Sequence, residues 1–557
     1  MRKSPFVWFV LAVLMAAIPG MIAAQDAKVV IAAAVKAMGI ENLRTLQFSG
    51  MGSIAGVGQN RNPRTAWPVS RLKAYNRQID LGAAASQVRL VRVQGGADQT
   101  QEQFVTSTSP WSVRFDFWLT PIGFLKGAME NPTSLRSERM DEGQYKVISY
   151  SIENKYKMVG YINEQNLVSR VQTWIDNDVL GDMLVDVSYT VYKDFDGVRF
   201  PSMIIHKQGG FPVLILNVND VRANPAVSIQ PPTPSAVSAS VASVQSETVA
   251  EGVYYLKGGT HHSVAIEFSD HIAVVEAPLN EQRSLAIIAE VKRLSPGKPI
   301  RYVINTHHHF DHSGGLRTYV NEGATILTHQ SNEDFYAKAF ATPRTLNPDR
   351  LEQSPRKARI EAVSDKKVLT DGSRTVELHL IKDNPHHDGM LMVFMPKEKI
   401  VIEVDVYTPS STNVATAATA DANPNTVSLV DSLEKLRLDF ERILPLHGPG
   451  ATSRADLYAA IRKPVPNITQ ILDPPPPPAA ATGQRGQRGA AAGPSDGAMV
   501  SLLSAACTGC HSMQRISNKT GDAEAWAETV ERMKGKGAEL TEEETRALID
   551  YLAKTYK

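Results

Sequence analysis

Residues 300–315 read IRYVINTHHHFDHSGG. The first half is an apolar, β-branched run of the kind that forms a buried strand. It ends directly in His307, His308, His309, Phe310, Asp311 and His312, and Ser313, Gly314 and Gly315 follow. Alternate residues of an extended chain point the same way, so His307 and His309 can converge on one ion while His308 points elsewhere. Once the chain turns towards a helix, Asp311 and His312 can face a second ion beside the first. Neutral imidazole and carboxylate are the ligands that zinc and its neighbours take in hydrolytic sites.

Around this stretch, from residue 247 to 465, apolar runs (SVAIEF, HIAVVEA, ATILTH, LMVFMP, KIVIEVD) are interspersed with helical patterns such as SLAIIAEVKRL. That mixture predicts α/β organisation with substantially buried strands. Three more candidates follow in the same block: His386 in NPHHDGM, Asp405 in KIVIEVD and His447 in ILPLHGPG.

Taken together, these motifs resemble the metallo-β-lactamase superfamily. THHHFDHSGG is similar to its HxHxDH signature. His386, three residues before a glycine, stands where the family has its next histidine; Asp405 matches the aspartate that bridges both metals, and His447 the final histidine. The approach GVYYLKGGTHHSVAIEFSDHIAVVEAP is similar too, with Glu276 in place of the family's usual aspartate. The resemblance implies a central αββα sandwich. In it the first metal takes His307, His309 and His386, and the second takes Asp311, His312 and His447, with Asp405 between them. His387 falls outside that ligand set, and His261, His262 and His329 read as ordinary histidines, although His261 and His262 can lie near the site.

The implied cofactors are two Zn²⁺, with iron as the other metal the ligands admit. A water shared by two divalent cations loses its proton near neutral pH and becomes a nucleophile, while the metals polarise the scissile group and receive the leaving group. Asp311 and Asp405 are the catalytic candidates, able to orient that hydroxide and carry a proton. The expected reaction is therefore hydrolysis of an ester, thioester, lactone, amide or phosphodiester in a small-molecule substrate. Family members that act on β-lactams lack an aspartate at the position of Asp405, which moves the expectation away from a β-lactamase. Flavin-linked di-iron members carry a glutamate where His309 stands. Mononuclear iron members that oxidise persulfides share HxHxDH, so an iron-dependent redox enzyme is one alternative reading, and a β-lactamase is the other.

At 557 residues the chain exceeds what one core usually organises. With 59 basic and 58 acidic side chains and no dominant basic stripe, it lacks the phosphate-neutralising surface that nucleic acid requires. The N-terminus runs Met1, Arg2, Lys3, an apolar stretch from Phe6 to Ile18, then Pro19, Gly20, Ala23 and Ala24. That is the order of a secretory signal cleaved after Ala24, and the apolar stretch is shorter than the ~18 residues a span needs. A periplasmic or secreted protein, not an integral membrane one, is expected.

Two stretches rich in Pro, Ala, Ser and Gly read as linkers, 231–246 and 466–497. The block they set off, 25–230, opens with a helical pattern around Val29 to Met38. It continues in alternating segments such as QVRLVRVQ, YKVISYSI and MLVDVSYTVY, which predict a mainly antiparallel β (α+β) domain with one wet face. It carries no cluster of metal ligands and reads as a scaffold or substrate-shaping domain.

The last block, 498–557, contains AACTGCHSM, and Cys507 and Cys510 are the chain's two cysteines. With His511 they form CxxCH, in which two thiols bind haem covalently and the histidine ligates iron. The following WAETVERMKGKGAELTEEETRALIDYLAKTY resembles the second half of a small class I cytochrome c, implying an all-α haem c domain and a redox partner. Met513 is too close to His511 to cross the ring, so Met533 is the candidate sixth ligand.

Overall fold

The computed structural model describes residues 18–94, 96–231, 243–409, 422–466, 519–535 and 540–556, with positions 499, 502, 503, 516 and 538. The start of the expected signal and most of both expected linkers lie outside these residues, as do Cys507, Cys510 and His511.

The N-terminal block is built on an eleven-stranded antiparallel sheet. Strand Thr45–Ala55 pairs with Phe211–Ala223, Leu46 opposite Ala223, so the beginning and end of the block meet in mid-sheet. The two edges are Ala97–Val105 and Ser134–Met140. One face packs on three helices, Ile18–Met38, Trp111–Leu119 and Pro121–Glu130. In the first of these, Ala27, Ile31, Ala34 and Met38 are buried at helical spacing and fix which stripe faces the sheet. That helix is longer than the Val29–Met38 pattern predicts. The predicted alternation is present: strand Gly181–Phe195 buries every other residue from Gly181 to Tyr189.

The central block holds two further sheets, of seven and six strands. Val264, Ile266, Val275 and Ile304 of the first pack against Val393, Ile402 and Leu444 of the second, forming an inter-sheet core. The opposite side of the first sheet is covered by helices Glu281–Leu294, Leu316–Glu322 and Glu333–Ala341, and that of the second by Pro424–Lys435 and Arg454–Ala460. This is the expected αββα layering. Helix Glu281–Leu294 illustrates how it is specified: Asn280 caps the free Arg283 N–H, Lys292 and Arg293 sit at the negative end, and Ile287, Ile288 and Val291 face the sheet. The block's first strand, Gln245–Ala250, begins inside the stretch that reads as linker.

Near the C-terminus two helices are described, Ala523–Lys534 and Glu542–Thr555. The second starts at a capping box of Thr541 and Glu544. Trp526, Val530, Leu548 and Leu552 pack with Ile205 and Ile215 of the eleven-stranded sheet. Met533 lies in the first of these helices and is half-buried. Among the described residues no helix is long and apolar enough to cross a membrane.

Candidate metal centre

Strand Ile300–Ile304 runs parallel to both its neighbours, Ile272–Val275 and Thr325–His329, so their C-terminal ends open at one edge. The second sheet contributes another parallel pair, Ile400–Glu403 beside Arg442–Pro445. Glu276, the 305–312 segment, Asp405 and His447 all leave from such strand ends, which is where open α/β sheets place ligands.

Four of the predicted ligands, His307, His309, His386 and Asp405, bring one donor atom each to within 4.8 Å of one another. Asp405 Oδ2 is 3.3 Å from His307 Nε2 and 3.1 Å from His386 Nε2. A second group lies beside it: His261, His312 and His447. Asp405 joins the two, with Oδ2 3.1 Å from His312 Nε2 and Oδ1 2.7 Å from His447 Nε2. Asp311 is at the margin of the second group, its Oδ2 3.3 Å from His261 Nε2 and 3.6 Å from His312 Nε2. His261, read from sequence as ordinary, therefore stands with the ligands. The signal that could have found it is its position just before strand Ser263–Glu267, in the stretch that resembles the family's approach.

Four of the rings have a partner on the far side. The Thr260 carbonyl accepts from His447 Nδ1 at 2.7 Å, leaving Nε2 for the centre. The Asn60 carbonyl accepts from His309 Nε2 at 3.0 Å, so the lone pair is on Nδ1. His307 Nδ1 is 3.0 Å from the Thr306 hydroxyl. Glu276, fully buried, accepts from the Thr306 N–H and holds its other oxygen 3.3 Å from His312 Nδ1. His307 Nε2 and His309 Nδ1 are buried without a hydrogen-bond partner among the described residues. Buried polar nitrogens are rarely left so, and orphaned imidazole lone pairs converging beside a carboxylate fit a metal ion.

Burial first, then the neighbouring His309, hold His307 well below the ordinary histidine range. Burial, then His386, brings His309 down to about 4. Neutral rings are the ones that can ligate. Burial opposes the charges of Asp405 and His312, yet their mutual attraction prevails: His312 is raised and Asp405 held far below the carboxylate range. Asp405 has φ +61° and Glu276 φ +70°. Such left-handed backbone, unusual for a glutamate, clusters where a site imposes it.

His308 and His387 lie among these rings without joining either group. Burial, then His309, takes His308 down to about 3. His262 bonds the Gly258 N–H and the Gly448 carbonyl, and His329 the Ser331 hydroxyl. Sequence reasoning also missed the N-terminal sheet's contribution: Gln59 Nε2 donates to Asp311 Oδ1 at 2.8 Å.

Residues 250–402 match the family model described as the metallo-beta-lactamase superfamily. The centre is thus built on a domain of that superfamily, and Asp405 and His447 reach it from beyond the matched span. The 2,4-dinitroanisole O-demethylase subunit alpha of Nocardioides sp. (strain JS1661) is 25% identical over 179 residues, 31% of this chain and 49% of that one. The chain thus spans about half the length of this curated relative. Among solved structures, a metallo-beta-lactamase from Pontibacter korlensis is 13% identical with a TM-score of 0.31, over 39% of this chain and 97% of that one. The metallo-beta-lactamase FIM-1 from Pseudomonas aeruginosa, in its mono-zinc form, is 17% identical with a TM-score of 0.29, over 40% and 94%.

Proposed function

We propose that this chain is an exported, zinc-dependent hydrolase with two cations in one centre, carrying haem c on a cytochrome c-like C-terminal module. The observation that carries the hydrolase reading is Asp405, which stands between two groups of histidine nitrogens, Oδ2 facing both and Oδ1 facing His447. His307, His309 and His386 would hold one cation, and His312, His447 and Asp311 the other, with Asp405 between and His261 beside the second. Zinc in such a set would acidify a water and polarise the oxygen of the scissile bond.

The chain's own residues do the remaining work. Asp311 is the more exposed of the two carboxylates, 35% against 13% for Asp405, and so is the group a substrate can reach. Gln59 holds one of its oxygens and the other faces His261 and His312, so the carboxylate would orient a water from within the second group. The bond cleaved is an ester, thioester, lactone, amide or phosphodiester. The haem reading rests on Cys507, Cys510 and His511 and the amphipathic helices that follow; Cys507 and Cys510 would hold the haem, and His511 and Met533 its iron.

The test is elemental analysis of full-length protein matured with a haem c attachment system, beside a hydrolysis panel. The panel holds a β-lactam, a lactone, a thioester, a phosphodiester and 2,4-dinitroanisole, the compound in the relative's name. Two zinc ions per chain and turnover of one substrate are expected. Absence of zinc, or one iron beyond the haem iron, would overturn the assignment.

A further inference from the structure

Residues 56–68 connect strands Thr45–Ala55 and Val69–Asp80 of the N-terminal sheet, and they reach the metal centre. The Gly58 carbonyl accepts from Phe310 N–H at 3.2 Å, and the Arg61 carbonyl from Asp388 N–H at 2.9 Å. Gly58 has φ +72°, and a Cβ there would stand 2.2 Å from the Phe310 ring. Only glycine lets the loop lie this close.

Between those two contacts the hydrogen bonds run in one direction. Gly389 N–H donates to His387 Nδ1 at 2.9 Å, so the His387 proton is on Nε2. His387 Nε2 is 2.5 Å from His308 Nδ1, which must then accept, placing the His308 proton on Nε2. His308 Nε2 is 2.8 Å from Asn60 Oδ1. The Asn60 amide cannot be turned round, because its nitrogen donates to the carbonyls of Asn62 and Thr65 at 2.7 and 3.0 Å. The chain of bonds ends on the residue whose own carbonyl accepts from His309. His308 and His387 thereby acquire a job that ligand geometry denies them.

We propose that this loop is a working part of the metal centre: the relay Gly389, His387, His308, Asn60 locks it in place, Asn60 sets the donor nitrogen of His309, and Gln59 aims Asp311. All are positioning residues. The proposal rests on the metal reading given above.

Zinc affinity of the full-length chain, measured by competition with a chromophoric chelator, tests it together with the visible spectrum of the cobalt-loaded protein. Asn60→Ala and Gly58→Ala should each weaken zinc binding by roughly 10- to 100-fold, the usual effect of losing an outer-sphere partner. They should also alter the cobalt bands while circular dichroism stays that of the wild type. Gln59→Leu should weaken one of the two sites and spare the other. Arg64→Ala, on the same loop but 78% exposed, should change nothing. Folded Asn60→Ala and Gly58→Ala with wild-type affinity and spectrum would overturn the proposal, and if either fails to fold, Gln59→Leu decides by the same criterion. Wild-type protein that binds no zinc would instead overturn the metal reading itself.

Discussion

Asp405 Oδ1 stands 2.7 Å from His447 Nε2, joining residues from the ends of two adjacent parallel strands. The aspartate is held there by its turn, in which buried Glu403 accepts from Val406 and Tyr407 N–H. Asp405→Ala should therefore cost more zinc affinity than the roughly 10- to 100-fold of an outer-sphere loss. Isothermal titration with zinc checks this, and an unchanged stoichiometry and affinity would remove Asp405 from the centre.

Metal removal should destabilise the fold. Ions that bind only the folded chain stabilise it in proportion to their binding, about 4 kcal/mol per site when free zinc is about 1,000 times its Kd. Chelation should lower the thermal midpoint, and zinc but not magnesium should restore it. A midpoint indifferent to chelator would mean that no tightly held ion is present.

The two large blocks are tied by Arg344, whose side chain is 3% exposed and bonds Asp176 at 2.8 Å and Asp178 at 2.7 Å across the interface. It also faces Asp349 at 3.5 Å, which Arg317 shares. Arg344→Met leaves partly buried carboxylates uncompensated and should cost about 3 kcal/mol in denaturant unfolding. A loss under about 1 kcal/mol would rank these contacts with ordinary surface ion pairs.

His206, buried in the N-terminal sheet, is brought down to about 4, chiefly by burial. Between pH 6.5 and that value the unfolded chain takes up a proton at this residue that the folded chain does not, so the stability contributed by His206 falls as pH drops through this window and levels off below it. The slope from this one group reaches about 1.4 kcal/mol per pH unit. His206→Leu should flatten the stability profile of the chain across that window. An unaltered slope would show that His206 charges freely in the native state.

Cys507→Ser should abolish haem that survives denaturing electrophoresis in at least part of the population, and Cys507→Ser with Cys510→Ser in all of it. Haem staining of protein matured in cells with the attachment machinery reads this out. Staining that persists in the double variant would exclude thioether attachment.

The parts of the centre legible in the sequence were those set by local geometry. Alternation along an extended strand separated His307 and His309 from His308. His386, Asp405 and His447 were singled out by the resemblance to the metallo-β-lactamase superfamily, in which the glycine spacing favours His386 over His387. Asn60, Gln59 and His261 were not legible: Gln59 lies some 250 positions from Asp311, and Asn60 as far from His308 and His309, and no periodicity records a contact across that distance. The role of His308 was hidden for the same reason, since a ring pointing away from one ligand set gives no sign of what it points towards.

The sheet that carries the Gly58–Asn60 loop closes by joining strand Thr45–Ala55 to Phe211–Ala223. During synthesis that seam must wait until residue 223 has emerged, and such distant pairing is intrinsically slow. The loop then has nothing to grip until the 300–312 and 386–389 segments have also been made. The outer supports on the loop are thus made before the rings they orient, and the full set exists only once residue 447 has followed, which would place tight metal capture at the end of synthesis.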